Sequence, residues 1–334
     1  MQRSVALLAF SFLNGHAAAS PAAMAYYHGA RSNASLEAEA TTLATVAADE
    51  FTMNAKGGIK GTLPPIVFQV ANQNNIGVLA VVANATHAGF NPAIAEAVLT
   101  PGKAQTAAVK NLATLATQGY TGINLDFEAV PNTYRAQYTA FAQVLAASLH
   151  GEGKVLMLSL PAISVDDPTD PYTGAYDYAA LGAIADTLQV MTYDENGPWG
   201  PPGPVAGLDW VTACIGYAES VAPASRISMG MPAYGYDWNL TAGTGTSVDY
   251  AAIPKPIAKT GAVPQWDAAS SSPWFSYTAS DASPHIVWYE NAESITLKAT
   301  YAAQAAAASV YVWVLGAENP AYWQAIMAGF TAAE

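Results

Sequence analysis

The sequence predicts an α/β fold, a (β/α)8 barrel of the TIM type, with a small α+β insertion before its last helix and strand. Short apolar or β-branched runs alternate along the chain with alanine-rich stretches of helical period, which favours a parallel sheet covered by helices. The chain has 334 residues, of which 52% are hydrophobic and 11% charged, so it can enclose a large core. At this length, eight such alternations favour a closed barrel over an open doubly wound sheet.

The individual elements follow from local composition. Apolar and β-branched runs predict strands at residues 24–28, 76–82, 122–127, 155–160, 187–192, 226–232 and 309–315, with a weaker strand near 49–54. Helical periodicity predicts helices at residues 36–48, 92–99, 103–118, 133–150, 178–185, 208–220 and 292–308.

One stretch interrupts this rhythm. Residues from about 239 to 290 are rich in Gly, Ser, Thr, Pro and Trp, which indicates an insertion into the barrel. Its short runs at 274–278 and 285–289 predict antiparallel strands, which we expect to form one wall of a cleft above the barrel. Five tryptophans could line such a groove or pack the insertion, and the sequence leaves both possibilities open: Trp199, Trp238, Trp266, Trp274 and Trp288.

The first residues have the layout of a secretory signal peptide at 1–19. Arg3 precedes an apolar run over residues 4–13, and small residues follow it. The run is too short to cross a bilayer, which needs ~20 residues, so we expect no membrane span. The sequence therefore predicts a secreted or periplasmic protein whose remaining domain covers residues 22–334. An apolar first strand or helix is the alternative interpretation.

Charge and composition exclude several classes of partner and cofactor. The formal net charge is −13, which would repel nucleic acid and anionic lipid and suits an uncharged substrate such as a glycan. The single cysteine excludes an intramolecular disulfide, and the five histidines are scattered, so no metal site is predicted. We expect no cofactor, and we expect a monomer.

The segment Tyr120-Thr-Gly-Ile-Asn-Leu-Asp-Phe-Glu128 is the most informative part of the chain. Side chains alternate along a strand, so Asn124, Asp126 and Glu128 share one face, which points into the barrel because its outer face must be apolar. Two carboxyls confined together cannot both ionise freely, so one can hold a proton and act as a general acid. Asn124 is expected to hydrogen-bond Asp126. The alternative is a solvated strand end whose acids cap the next helix.

This segment resembles the D-G-x-D-x-D-x-E signature of glycoside hydrolase family 18. Gly122, Asp126 and Glu128 match the signature, whereas Thr121 and Asn124 replace its first two aspartates. An asparagine at the second of these positions resembles the peptidoglycan and spore-cortex-lytic branch of the family.

Further segments resemble the same family in the same order. Residues 189–195 are similar to its sixth-strand motif, residues 229–238 to its seventh strand and residues 313–320 to its eighth. Tyr26 and Tyr27 resemble its aromatic first strand. The similarity extends from about residue 24 to 323, so residues 22–334 are identified as one catalytic domain.

The resemblance implies a retaining mechanism in which the substrate, and not the enzyme, supplies the nucleophile. Glu128 would protonate the glycosidic oxygen while the substrate's 2-acetamido oxygen attacks the anomeric carbon. Asp126 would orient the acetamide N–H, Tyr193 would donate its hydroxyl to the acetamide oxygen, and Asp194 would bind near the same group. Trp313 would stack under the sugar ring.

The resemblance also extends the substrate-binding set. Met191, Tyr26 and Tyr236 belong to matched strand motifs and are expected to contact the substrate, and Asn124 is expected to support the acids from behind.

Three functions compete at this stage. The first is a secreted hydrolase of β-1,4-linked N-acetylglucosamine-containing glycans, with peptidoglycan somewhat ahead of chitin. The second is a non-catalytic, lectin-like glycan-binding protein on the same barrel, against which the retention of Glu128, Asp126 and Tyr193 argues. The third is an ordinary two-carboxylate glycosidase, which needs an enzymic nucleophile ~5 Å from the acid. Its candidates are Glu195, Asp209 and Glu290.

Overall fold

A computed structural model of the chain describes residues 21–333, and the predicted signal peptide lies outside these residues. Eight parallel strands form a closed barrel, because the first strand pairs with both the second and the last. The strands are β1 (Ala22–Tyr27), β2 (Thr45–Met53), β3 (Gly77–Ala83), β4 (Gly122–Asp126), β5 (Val155–Pro161), β6 (Thr187–Met191), β7 (Ile227–Pro232) and β8 (Ser309–Trp313). The predicted barrel is confirmed.

Helices connect the strands and cover the outside of the barrel. They are α1 (Asn33–Ala38), α2 (Pro65–Asn74), α3 (Pro92–Leu99), α4 (Lys103–Ala116), α5 (Arg135–Gly151), α6 (Tyr178–Ile184), α7 (Leu208–Val221), α8 (Pro254–Thr260), α9 (Ala292–Gln304) and α10 (Pro320–Ala332). In α5, Tyr138, Phe141, Leu145 and Leu149 recur at helical spacing and are fully buried, so this face packs on the sheet. Short 3-10 helices lie at Ala30–Ser32, Asn132–Tyr134, Ala224–Arg226 and Tyr250–Ala252.

The prediction of a helix at residues 36–48 was wrong beyond Ala38. The first helix ends at Ala38, and Thr45 already begins β2. Val46, Ala47 and Ala48 are fully buried and pair with both β1 and β3, so sheet pairing outweighs the helical preference of the alanines. The helices α2 and α10 were not predicted.

The insertion forms an antiparallel sheet of five strands between β7 and α9, with α8 beside it. In sheet order, the strands are Thr244–Asp249, Tyr234–Asn239, Pro284–Trp288, Ser272–Thr278 and Gln265–Asp267. Buried Tyr234, Tyr236 and Trp238 pack with Tyr193 and Trp313 of the barrel, so this sheet stands beside the carboxyl ends of the barrel strands. The predicted α+β insertion before the last barrel helix and strand is confirmed.

Two smaller features complete the fold. Ile59–Gly61 pairs antiparallel with the end of β2, and Ala85–Thr86 forms a two-stranded ribbon with Gly89–Phe90 after β3.

A buried ion pair joins Lys298 of α9 to Glu290, with Nζ 2.9 Å from Oε2. Within residues 21–333, none of the helices combines the length and the hydropathy that a membrane crossing requires.

Candidate active site

A cavity of about 660 Å³ opens at the carboxyl ends of the barrel strands, where barrel enzymes place their catalytic groups. Seven of the predicted site residues line it: Tyr26, Asp126, Glu128, Met191, Tyr193, Asp194 and Trp313. The other two, Asn124 and Tyr236, lie one layer behind and hydrogen-bond to residues that line it. A second cavity of similar size lies between α4 and α5 on the outside of the barrel, and it contains no paired carboxylates.

Strand β4 carries the two central acids. Gly122 begins the strand in close contact with β5, where a side chain would collide with the carbonyl oxygen of Val155. Beyond the strand, buried Asn84 holds the backbone of Glu128 from both sides. Its Oδ1 accepts from the Glu128 N–H at 2.9 Å, and its Nδ2 donates to the Glu128 carbonyl oxygen at 2.8 Å. These two bonds fix where the Glu128 side chain leaves the backbone, a role that the sequence did not reveal.

The environment of Glu128 suits an acid that must also act as a base. Burial, followed by the nearby charges of Asp194 and Asp49, raises its pKa from an ordinary 4.5 to about 7. A carboxyl with this pKa can give up and take back a proton near neutral pH.

Asp126 is perturbed in the same direction. Burial raises its pKa well above the ordinary value, and the charges of Glu128 and Asp49 add to the effect. Its Oδ1 is buried and has no hydrogen-bond partner among residues 21–333. A buried acceptor without a partner is costly in the free protein and is available to a ligand donor such as an N–H group.

The expected hydrogen bond from Asn124 to Asp126 is absent, and that expectation was wrong. Asn124 Oδ1 accepts from the Tyr26 hydroxyl at 3.0 Å, and its Nδ2 donates to Ser159 Oγ at 2.9 Å. Side chains two positions apart on a strand stand ~6.6 Å apart along it, so partners on β1 and β5 satisfy the buried amide better. Asn124 therefore positions Tyr26 beneath the cavity.

Tyr193 and Asp194 follow the carboxyl end of strand β6. Gly230 of the neighbouring β7 makes room for the Tyr193 ring, because a Cβ there would lie 2.7 Å from Tyr193 Cε1. Burial, with the charges of Asp126 and Glu128, raises the pKa of Tyr193 well above its ordinary value, so its hydroxyl keeps its proton and can donate it to a hydrogen bond.

Asp194 is fixed by its backbone and by the insertion. Its φ of 63° lies in the left-handed region, which is uncommon for a residue with a side chain and occurs often at functional sites. Its Oδ1 accepts from the hydroxyls of Tyr234 at 2.5 Å and Tyr236 at 2.8 Å. Burial raises the pKa of Asp194, and these two hydrogen bonds oppose the rise. The sequence missed Tyr234, although it lies in the same motif as Tyr236.

Aromatic rings form the floor of the cavity. The ring of Tyr26 meets Trp313 edge-on at 5.1 Å, and the imidazole of His28 lies at 6.1 Å from the indole. Of the five tryptophans left open by the sequence, Trp199 is 72% exposed and lines the cavity, whereas Trp238 is buried in the insertion. An exposed indole at this edge can stack on a sugar ring.

The three acids that the sequence offered as an enzymic nucleophile lie outside the cavity. Glu195 Oε2 accepts from the backbone N–H of Gly207 at 2.7 Å, and Glu290 pairs with Lys298. Neither these two acids nor Asp209 lines the cavity. Across residues 21–333, no three His, Cys, Asp or Glu side chains are grouped so that they could hold a metal ion.

Comparisons with known proteins agree with this geometry. The sequence model of Glycosyl hydrolases family 18 matches residues 16–318. A protein of Bacillus subtilis (strain 168), called uncharacterized glycosylase YvbX, is 36% identical over 331 residues, which is 98% of this chain and 96% of the relative.

Two solved structures are also similar. A chitinase from Chromobacterium violaceum ATCC 12472 superposes with a TM-score of 0.88 at 39% identity, covering 93% of this chain and 99% of that one. The spore cortex-lytic enzyme SleL from Bacillus megaterium QM B1551 gives a TM-score of 0.85 at 25% identity, covering 93% and 74%. The family resemblance of the β4 segment is confirmed: this chain belongs to glycosyl hydrolases family 18 and is an enzyme that hydrolyses glycosidic bonds.

Proposed function

We propose that this enzyme is a retaining hydrolase of β-1,4-linked N-acetylglucosamine-containing glycans, of the chitin or peptidoglycan type, and that it uses the substrate's own acetamide as nucleophile. The proposal is supported by the convergence of Glu128, Asp126, Tyr193 and Trp313 on one cavity. The observation that carries it is the buried Oδ1 of Asp126, which has no hydrogen-bond partner among residues 21–333 and can accept from a substrate N–H in the cavity that also contains Glu128. Burial raises the pKa of Glu128 to about 7, which allows it to act first as acid and then as base.

Each group has a defined task in this mechanism. Glu128 gives its proton to the glycosidic oxygen as the bond to the anomeric carbon breaks, and the acetamide oxygen attacks that carbon to form a cyclic oxazolinium ion. The unpartnered Oδ1 of Asp126 accepts from the acetamide N–H. Tyr193 donates to the acetamide oxygen, and Trp313 supports the ring. Glu128 then removes a proton from water, which opens the ion with retention of configuration.

The relatives support both glycan types. A chitinase and a spore cortex-lytic enzyme are among the similar structures. We further propose that the protein is exported, to the cell exterior or the periplasm, because these polymers lie outside the cytoplasm and residues 1–19 have the layout of a signal peptide. N-terminal sequencing of the mature protein tests export, and an intact Met1 would count against it.

Glu128→Gln tests the mechanism. It removes the transferable proton and preserves the shape of the side chain, so kcat on an N-acetylglucosamine oligomer should fall by at least ~10²-fold while binding is retained. Glu152→Gln is the control, because Glu152 is exposed and remote from the cavity. Unchanged turnover in Glu128→Gln would remove the proposed acid, and a wild type that binds without cleaving would indicate a lectin-like protein. Undiminished cleavage of substrates without the N-acetyl group would refute substrate assistance.

A further inference from the structure

The ionisable side chains that line the cavity are almost all acidic. Five carboxyl groups face it: Asp49, Glu50, Asp126, Glu128 and Asp194. His28 is the one lining side chain that can become cationic, since no Lys or Arg is among the cavity residues in the described part of the chain. The proposed mechanism uses Asp126 and Glu128, and the family resemblance implies that Asp194 binds near the acetamide, which leaves Asp49 and Glu50 without a task.

A β-bulge places Asp49 and Glu50 on the same side of β2. Neighbouring residues of a regular strand point to opposite faces, so one of the two should face the helices. In β2, Asp49 pairs with Val81 and Phe51 with Val82, which leaves Glu50 as an extra residue in the strand. Such bulges occur often beside active sites, where they redirect a side chain. Both carboxylates consequently line the cavity, although placing a charge there costs free energy.

Local hydrogen bonds hold the two carboxylates in place. Glu50 Oε1 accepts from the backbone N–H of Gly29 at 2.6 Å. Asp49 Oδ2 lies 3.0 Å from His28 Nδ1, and the Asp49 side chain is 18% exposed. His28 stands against Trp313, so this acidic pair flanks the aromatic floor on which the sugar would lie.

We propose that Asp49 and Glu50 are specificity-determining residues that select glycan strands by charge, admitting neutral or amine-bearing amino sugars and disfavouring strands with free carboxylates. This inference rests on the proposed function and narrows its substrate class. N-acetylmuramic acid carries a lactyl carboxylate and is anionic, whereas N-acetylglucosamine is neutral and glucosamine is cationic. Carboxylates confined in a cleft focus a negative potential that repels N-acetylmuramic acid and does not repel the other two sugars.

The experiment compares two strands that differ in charge and hardly in shape. One is a short glycan that alternates N-acetylglucosamine with N-acetylmuramic acid bearing a free lactyl carboxylate, and the other is the same glycan with that carboxylate converted to an amide. The readout is the ratio of kcat/KM for the amide to that for the acid, measured at low salt and at one near-neutral pH for all variants. In the wild type we expect a ratio of at least about ten, which falls toward one in about 1 M salt.

The double variant Asp49→Asn/Glu50→Gln should lower this ratio at least about threefold at low salt. The double variant Glu37→Gln/Glu152→Gln removes the same charge from exposed positions outside the cavity and should leave the ratio as in the wild type. Any one of four results would overturn charge selection. They are a wild-type ratio near one, a ratio that salt does not change, an unchanged ratio in the Asp49→Asn/Glu50→Gln variant, and equal exclusion of both strands.

A third substrate separates this inference from the proposed function. If the wild type cleaves an N-acetylglucosamine hexamer but does not distinguish acid from amide, the charge selection fails alone. If neither the hexamer nor either of the two alternating strands is cleaved, the proposed function itself fails.

Discussion

Replacing Glu128 with Gln should stabilise the folded protein, and the gain should depend on pH. In the folded state burial and the charges of Asp194 and Asp49 raise the pKa of Glu128 from 4.5 to about 7. Between these values the folded protein binds more protons than the unfolded chain, so the free energy of unfolding decreases as pH rises through this window. The rise of the pKa from 4.5 to about 7 corresponds to about 3 kcal/mol. Glutamine cannot ionise and does not incur this loss.

The free energy of unfolding is measured by urea denaturation of wild type and Glu128→Gln at a series of pH values. The difference between them should be small below about pH 4.5 and should grow to about 3 kcal/mol above about pH 7. Glu152→Gln, an exposed control, should show no growth of this kind. A difference that is constant with pH would refute the argument that burial and neighbouring carboxylates hold the proton on Glu128, whatever the variant's activity.

Two further predictions concern groups around the site. Asn84→Ala should lower kcat about 10- to 100-fold with a smaller effect on KM, because Glu128 loses both backbone hydrogen bonds that position it. The control is Asn111→Ala, which removes a similar hydrogen bond to Gly57 away from the cavity. Equal kcat values in the two variants would contradict the positioning role of Asn84. Lys298→Met should lower the free energy of unfolding, measured by chemical denaturation, by about 3 to 5 kcal/mol, because it leaves the buried Glu290 carboxylate without its ion-pair partner. A decrease below about 1 kcal/mol would contradict the importance of that pair.

Local patterns predicted the parts of the molecule that depend on neighbours in sequence. The alternation in residues 122–126 placed Asn124 and Asp126 on the inner face of a strand, and the structure has them there. The same reasoning failed at β2, where alanines typical of a helix lie in a strand that two neighbours enclose. Pairing partners far along the chain decide such a segment, and a local pattern does not contain them.

Side-chain periodicity and short motifs act over a few residues, so local patterns sufficed to predict the barrel, the insertion and the acid at the mouth of β4. The distant groups that tune that acid come together through folding, and no local pattern named them. Asn84 reaches Glu128 from another strand end, Tyr234 holds Asp194 from the insertion, and a bulge brings Asp49 and Glu50 into the cavity together. Desolvation and Coulomb interactions depend on distance in space, and closing the barrel brings residues far apart in the chain within a few ångströms of one another.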